Sequence, residues 1–177
     1  IGVECMRERS TGLNPPNARL HVWWARRPLA VSRAAVLASL LPAGFDRACF
    51  ERLLGFYAPS SQIVEIARLL AEKADGQWVE HGHGERAFKN VVRESDLTLA
   101  HEAMRQLWHA EPTVMDPMAG GGSIPLEAAR LGLSVLANEL NPVACSILEA
   151  TVDYPFRFGV ELADRARRWA AIWESRF

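Results

Sequence analysis

Two carboxylates and a run of glycines are the residues of this sequence best placed to do chemistry. In "VMDPMAGGGSIPLEAARLGLSVLANELNP", residues 114–142, Asp116 is followed by Pro117, Met118, Ala119 and the three glycines Gly120, Gly121 and Gly122, and Glu139 comes near the end. Glycine admits positive φ and close approach of a ligand to the backbone. An acid roughly 20 residues beyond such a turn is placed to accept ribose hydroxyls. An Asp ahead of the turn repels a pyrophosphate and attracts a cationic group such as an ammonium. The dinucleotide G-x-G-x-x-G pattern fails because Pro125 fills its third glycine position, and no Gly-Lys-Ser/Thr completes a P-loop. S-adenosylmethionine carries both an ammonium and ribose hydroxyls, so the cradle points to it over NAD or ATP. The bland alternative is a tight turn beside a surface Glu, but turn, helix cap and acid agree in one place.

These residues need a frame. "TVM" and "SVLAN" are short β-branched runs that stop at Asp116 and just before Glu139. The intervening "SIPLEAARLG" reads as a helix, with Ser123 as N-cap, Pro125 in the first turn and Gly132 at the C-terminal cap. Strand, glycine turn, helix, strand is a βαβ unit, which requires parallel strands and puts ligands at their carboxyl ends. Asn141 and Pro142 cap and start another helix, and "VELADRARRWAAIWESRF" is amphipathic and helical.

Upstream the text is helical. A helix begins near Pro28 and ends before Pro42, with Leu29, Ala35, Val36, Leu40 and Leu41 inward. "RACFERLLGFY" and "SQIVEIARLLAEKA" keep the helical period, the latter with Ile63, Ile66, Ala67 and Leu70 on one face. "DGQWVEHGHGERAFKN" reads as a loop, and a helix over 96–110 turns Leu99, Ala103, Met104 and Leu107 inward. Residues 1–110 thus form a mainly helical region and 111–177 the start of an α/β domain.

Composition narrows the classes. Hydrophobic residues make up 49% and charged ones 23% of the 177, the profile of a globular domain. A formal charge of −1 gives no overall basic footprint for nucleic acid. Cys5, Cys49 and Cys145 are scattered, which argues against a disulfide framework or a zinc ribbon here. His81 and His83 lack companion ligands, so no metal site is expected. Arg33 interrupts the best apolar run and no signal-peptide pattern opens the chain, so neither a membrane span nor export is expected and the location is cytoplasmic.

"DPMAGGGSIPLEAA" resembles motif I of amino-methyltransferases, the D-P-F-x-G-x-G-[ST] turn, with Met118 in place of Phe. "ANELNP" resembles their second motif, which gives Glu139 the ribose, Leu140 the adenine face, and a place beside them to Asn141. The same motif I occurs in RNA guanine-N2 methyltransferases. "ARLHVWWARRPLAVSRAAVLASLLP", residues 18–42, resembles adenine-specific DNA methyltransferases that open with a conserved domain of unknown function and carry a Zn-ribbon insertion. By that resemblance the stretch 19–42 stands where motif X lies beside the methionine end of the cofactor, through His21, Trp24, Arg26, Arg27 and Pro28. Read from the residues alone, Trp23 and Trp24 are core or interface anchors, and the two arginines pair with acids, a carboxylate or a DNA phosphate. The implied fold is a Rossmann-like, mostly parallel sheet covered by helices on both faces, of which this chain holds the first βαβ unit.

Amino-methylation also needs a [DNS]-P-P-[YFW] motif to hold the target amine and stack on a base flipped out of the duplex. None follows Glu139. The Pro-Pro in "LNPPN", residues 13–17, lacks the aromatic and reads as a loop. No catalytic residue is therefore assigned here, and the resemblance places the chemical half and the Zn-ribbon beyond Phe177. Three readings follow. One is the cofactor-binding part of a DNA amino-methyltransferase acting on adenine N6. The others are a piece of an RNA guanine-N2 methyltransferase, and a non-catalytic cofactor- or DNA-binding accessory chain. Two strands alone would leave open edges, so residues 1–177 by themselves are expected to be marginal or aggregation-prone.

Overall fold

Pro28 and Pro42 bracket the first long helix, because proline fits ahead of a helix and cannot continue one. The computed structural model describes residues 1–9, 15, 20, 21, 23, 25–73 and 86–176. In chain order these give α1 (Gly2–Arg9), α2 (Leu29–Leu40), α3 (Arg47–Leu53), α4 (Ser60–Lys73), α5 (Glu94–Trp108), β1 (Thr113–Asp116), α6 (Ser123–Arg130), β2 (Ser134–Ala137), α7 (Pro142–Leu148) and α8 (Tyr154–Glu174). A π-helical turn, Glu149–Asp153, joins α7 to α8. Gly159 breaks the regular dihedrals of α8 (φ 53°, ψ −138°), so its long regular part starts at Val160, where the amphipathic pattern does. No helix among the described residues is long and apolar enough to cross a membrane.

Among the described residues the architecture is helix-rich α/β with one small parallel sheet. Thr113 to Asp116 pair in register with Ser134 to Ala137. Asp116 thus lies opposite Ala137, two residues before Glu139, so both acids stand at the carboxyl end of the sheet. Alternation puts Val114 and Val135 against the core and Met115 and Leu136 on the other face. The latter two are 65% and 60% exposed.

The core draws on both regions of the chain. Leu37 of α2, Leu53 of α3, Ala100 and Met104 of α5, Ala128 of α6, and Leu131 and Leu133 beyond it form one buried cluster. The α6–β2 link is tight because Gly132 takes φ +74°, and a Schellman pair closes the helix, Leu133 N–H to Ala128 C=O at 3.1 Å and Gly132 N–H to Ala129 C=O at 2.9 Å.

Two helix faces differ from the sequence expectation. In α2, Leu29, Val36 and Leu41 are buried, but Ala35 is exposed while Ser32, Arg33, Ala34 and Leu37 point inward. In α5, Met104 is buried and Ala103 packs on the core, whereas Leu99 and Leu107 are exposed and Asp96 and Ala100 are buried. The physical reason is the same in both. A buried charge with a partner, Arg33 with Glu127 and Asp96 with Arg52, sets the rotation of each helix, and a count of large apolar residues overlooks it. In α4, Ile63 is buried and Ile66 and Ala67 half-buried, as the period requires.

Candidate cofactor cradle

β1 delivers Asp116 to the start of the glycine turn. One of its carboxylate oxygens accepts the Met118 N–H at 3.2 Å. The backbone of the turn is tied to the second strand, Ala119 N–H to Asn138 C=O at 3.0 Å and Asn138 N–H to Asp116 C=O at 2.9 Å. Gly120 (φ +53°) and Gly122 (φ +76°) take the left-handed conformation that the reversal into α6 demands. Here Ser123 departs from its expected role. The N-cap position belongs to Gly122, with no side-chain cap, and the Ser123 hydroxyl instead donates to the Arg27 carbonyl at 2.8 Å.

Glu139 reaches back across the sheet end. Its Oε2 accepts the Gly120 N–H at 2.7 Å, and its Oε1 accepts those of Leu140 at 2.8 Å and Asn141 at 3.1 Å. The backbone N–H groups of Asn141, Gly120 and Leu140 hold this carboxyl below the ordinary Glu range. A carboxylate offers about four lone-pair sites, so one remains for an incoming hydroxyl donor and a second opens if the Gly120 bond is exchanged. Leu140 is 92% exposed beside it. Asn141 spends its side chain on the α7 cap, accepting from the Val143 and Ala144 N–H groups.

The close approach that the glycines permit is made by protein. A Cβ on Gly121 would lie 3.0 Å from three atoms of Trp23, and one on Gly120 3.0 Å from the Trp23 indole nitrogen. A Cβ on Gly122 would meet the end of Leu148 at 2.7 Å. The Trp23 ring lies on the turn, and the carboxylate side with Asp116, Glu139 and Leu140 stays accessible.

The other residues singled out from the sequence fall as follows. Pro117 and Met118 are exposed on the turn, and Ala119 is buried beneath it. Pro28 precedes α2, and its carbonyl accepts the Ser32 hydroxyl. Arg26 is tied to Glu8 at 2.5 Å. Arg27 is exposed with no side-chain partner among the described residues, one hydrogen bond from Ser123 through its carbonyl. His21 is exposed. Trp24, His81 and His83 lie outside the described residues, as does the "LNPPN" stretch apart from Pro15, which is buried.

Four residues carry roles that the sequence alone does not assign. Trp23 lies on the glycine turn; the paired tryptophans signal an anchor without saying that this ring touches the turn. Glu8 sits in α1, a short polar helix whose only signal was an i, i+4 pair of acids, Glu4 and Glu8. Arg33 and Glu127 were visible as a charge in an apolar run and a charge in an amphipathic helix, with nothing to join them.

A cavity of about 610 Å³ touches Glu139 but is lined otherwise by the edge of β2, the end of α6, Leu148 and Phe156. It includes neither Asp116 nor the glycine turn, so it is a groove along the open sheet edge and not the cradle itself.

Two stretches of the chain are similar to known families. Residues 97–171 match the family described as RMKL-like, methyltransferase domain. That part of the chain is thus similar to a methyltransferase domain. Residues 1–53 match a protein of unknown function (DUF1156). The chain is also similar to a tRNA (guanine(37)-N(1))-methyltransferase of Danio rerio, 44% identical over 55 residues, which is 31% of this chain and 12% of that protein. The chain therefore spans a small part of the length of that relative. No solved structure matches.

Proposed function

We propose that this chain is the cofactor-binding part of an S-adenosylmethionine-dependent methyltransferase whose target is an amino group of a nucleic-acid base, adenine N6 of DNA. The fold would be Rossmann-like, with the region after residue 110 as its first βαβ unit. The observation that carries the reading is the pair of carboxylates, Asp116 and Glu139, at the carboxyl ends of two adjacent parallel strands with the glycine turn between them.

The residues fit the cofactor. Glu139, its carboxylate oriented by three backbone N–H groups, would take ribose hydroxyls. Leu140 would offer an apolar surface to the adenine, Asp116 an opposite charge to the ammonium, and Arg27 a guanidinium to the carboxylate. When bound, the cofactor supplies an electrophilic methyl group on sulfur. The chain's own residues bind and orient it, and no general base for a target amine is assigned among them.

Support for a DNA target comes from the "WWARRPLA" string. The match to an RMKL-like domain and the similarity to a tRNA methyltransferase favour a second reading, a structured RNA as substrate. The experiment is a calorimetric titration of the full-length protein with S-adenosylmethionine, followed by transfer of labelled methyl groups to duplex DNA and to tRNA. Asp116→Ala and Glu139→Ala should each weaken binding by roughly tenfold or more, the loss of one charge-assisted contact. Unchanged affinity in both would remove the cradle assignment, and label in tRNA alone would replace DNA by RNA.

A further inference from the structure

Helix α1 buries two carboxylates, Glu4 and Glu8, each to 1% exposure. A buried carboxylate is costly unless its lone pairs are filled, so its partners show what it is for. Glu4 holds Arg7 at 2.5 Å and the Ala87 N–H at 2.9 Å. Glu8 does something more directed. Its Oε1 accepts from Arg26 at 2.5 Å, and its Oε2 accepts the N–H groups of Leu29 at 2.7 Å and Ala30 at 3.3 Å. Those amides are orphan donors at the start of α2, and Pro28 ahead of them offers no side-chain cap. The cap of α2 is therefore supplied from another helix.

The described residues of the short arm between, Trp23 and 25–28, are fastened on two sides. On one side Glu8 holds Arg26 and the first turn of α2. On the other, the Arg27 carbonyl receives the Ser123 hydroxyl, and Trp23 covers Gly120 and Gly121. Within the arm the Arg26 N–H closes a turn onto the Trp23 carbonyl at 3.2 Å. That turn bond links the backbone of Arg26, whose side chain Glu8 holds, to Trp23.

We propose that Glu8 is a positioning residue for the cradle: by capping α2 and pairing Arg26 it sets the Trp23 ring against the glycine turn as one wall of the cofactor site. This rests on the reading of the turn as an S-adenosylmethionine site, and it gives the region of unknown function a task, building that wall. A purely structural Glu8 would lower stability and leave the affinity of the folded molecules unchanged. A positioning Glu8 changes the affinity itself.

The test uses the full-length protein and S-adenosylmethionine, with calorimetry for affinity and hydrogen exchange at Leu29, Ala30, Gly120 and Gly121. Glu8→Gln keeps the volume but loses the charge pair with Arg26. It should speed exchange at Leu29 and Ala30 and weaken cofactor binding by roughly tenfold, as small misplacements of a site do. Trp23→Ala should weaken binding comparably, and Trp23→Phe, which keeps an aromatic wall, should restore most of it. If transfer is assayed, the loss should appear in KM for the cofactor with kcat little changed. Should Glu8→Gln fail to fold, Glu8→Asp keeps the charge with a shorter reach and carries the same expectation. Wild-type protein that binds no cofactor removes the cradle and the wall together. Wild-type binding that is unaltered in the Glu8 and Trp23 variants, with exchange at Leu29 and Ala30 raised, overturns the wall alone.

Discussion

Arg33 of α2 and Glu127 of α6 form an ion pair with side chains 1% and 0% exposed. It joins the helix that follows the Trp23 arm to the helix that starts at the glycine turn. Arg130 fills the other oxygen of Glu127 at 2.8 Å. Among the described residues the Arg33 Nη2 has no hydrogen-bond partner, and burial pulls this guanidinium below its ordinary value against the opposing pull of Glu127.

Removing one member of such a pair leaves a buried charge. Glu127→Ala should destabilise the protein by about 3–5 kcal/mol, while Arg33→Met combined with Glu127→Leu should recover most of that loss. Urea midpoints at constant slope measure both. A Glu127→Ala midpoint equal to wild type would mean that the pair is not buried as described.

The glycine turn gives a second expectation. Gly122→Ala forces a Cβ at φ +76° and toward the flexible end of Leu148, so the backbone conformation dominates at about 1–2 kcal/mol. Gly44 has open space and no positive φ, and Gly44→Ala should be neutral or stabilising by up to about 1 kcal/mol. Equal effects at the two positions in thermal melts would count against the left-handed turn.

Stability should bend at both ends of the pH scale around one cluster. Arg52 of α3 clasps Asp96 of α5 at 3.0 and 2.8 Å, and the Cys49 thiol lies 3.5 Å from the same carboxylate. The Arg52 hydrogen bonds hold Asp96 below its unfolded value of 3.8. Its contribution is thus present above pH 3.8 and lost as pH falls through the lower folded value. Burial pushes the Cys49 thiol from 9.0 up to about 11, so the folded form is favoured below pH 9.0 and loses that advantage as pH rises toward 11. Asp96→Asn should flatten the acid limb of a pH–melting curve. Iodoacetamide at pH 8 should leave Cys49 unlabelled until denaturant is added; rapid labelling by mass spectrometry would contradict the burial.

The bare face of the sheet bears on the isolated chain. Met115 and Leu136 sit opposite each other in register and are exposed. Residues 1–177 alone should self-associate, and Leu136→Lys should reduce this in sedimentation velocity. A monodisperse wild-type profile with a cooperative melt would refute the expectation.

Much of the cradle was legible because its signals are local. A β-branched run before Asp116, glycines where φ turns positive, Gly132 closing α6 and Asn141 opening α7 each depend on neighbours a few residues away. Ser123 departs from its expected cap role for a local reason too, since Gly122 holds the cap position and frees the hydroxyl for a distant carbonyl. The faces of α2 and α5 depart from the apolar period because their rotation follows ion pairs whose partners lie on other helices.

The sequence by itself determined the parallel strand–turn–helix–strand unit and the two acids at its end, because dihedral preference and hydrophobic period act within a few residues. Only the tertiary structure decided that Trp23 lies on the glycine turn, that Glu8 caps a helix it does not belong to, and that Arg33 meets Glu127. Those contacts join residues far apart in the chain, and their free energy comes from burying charge with its partner, which no window of sequence contains.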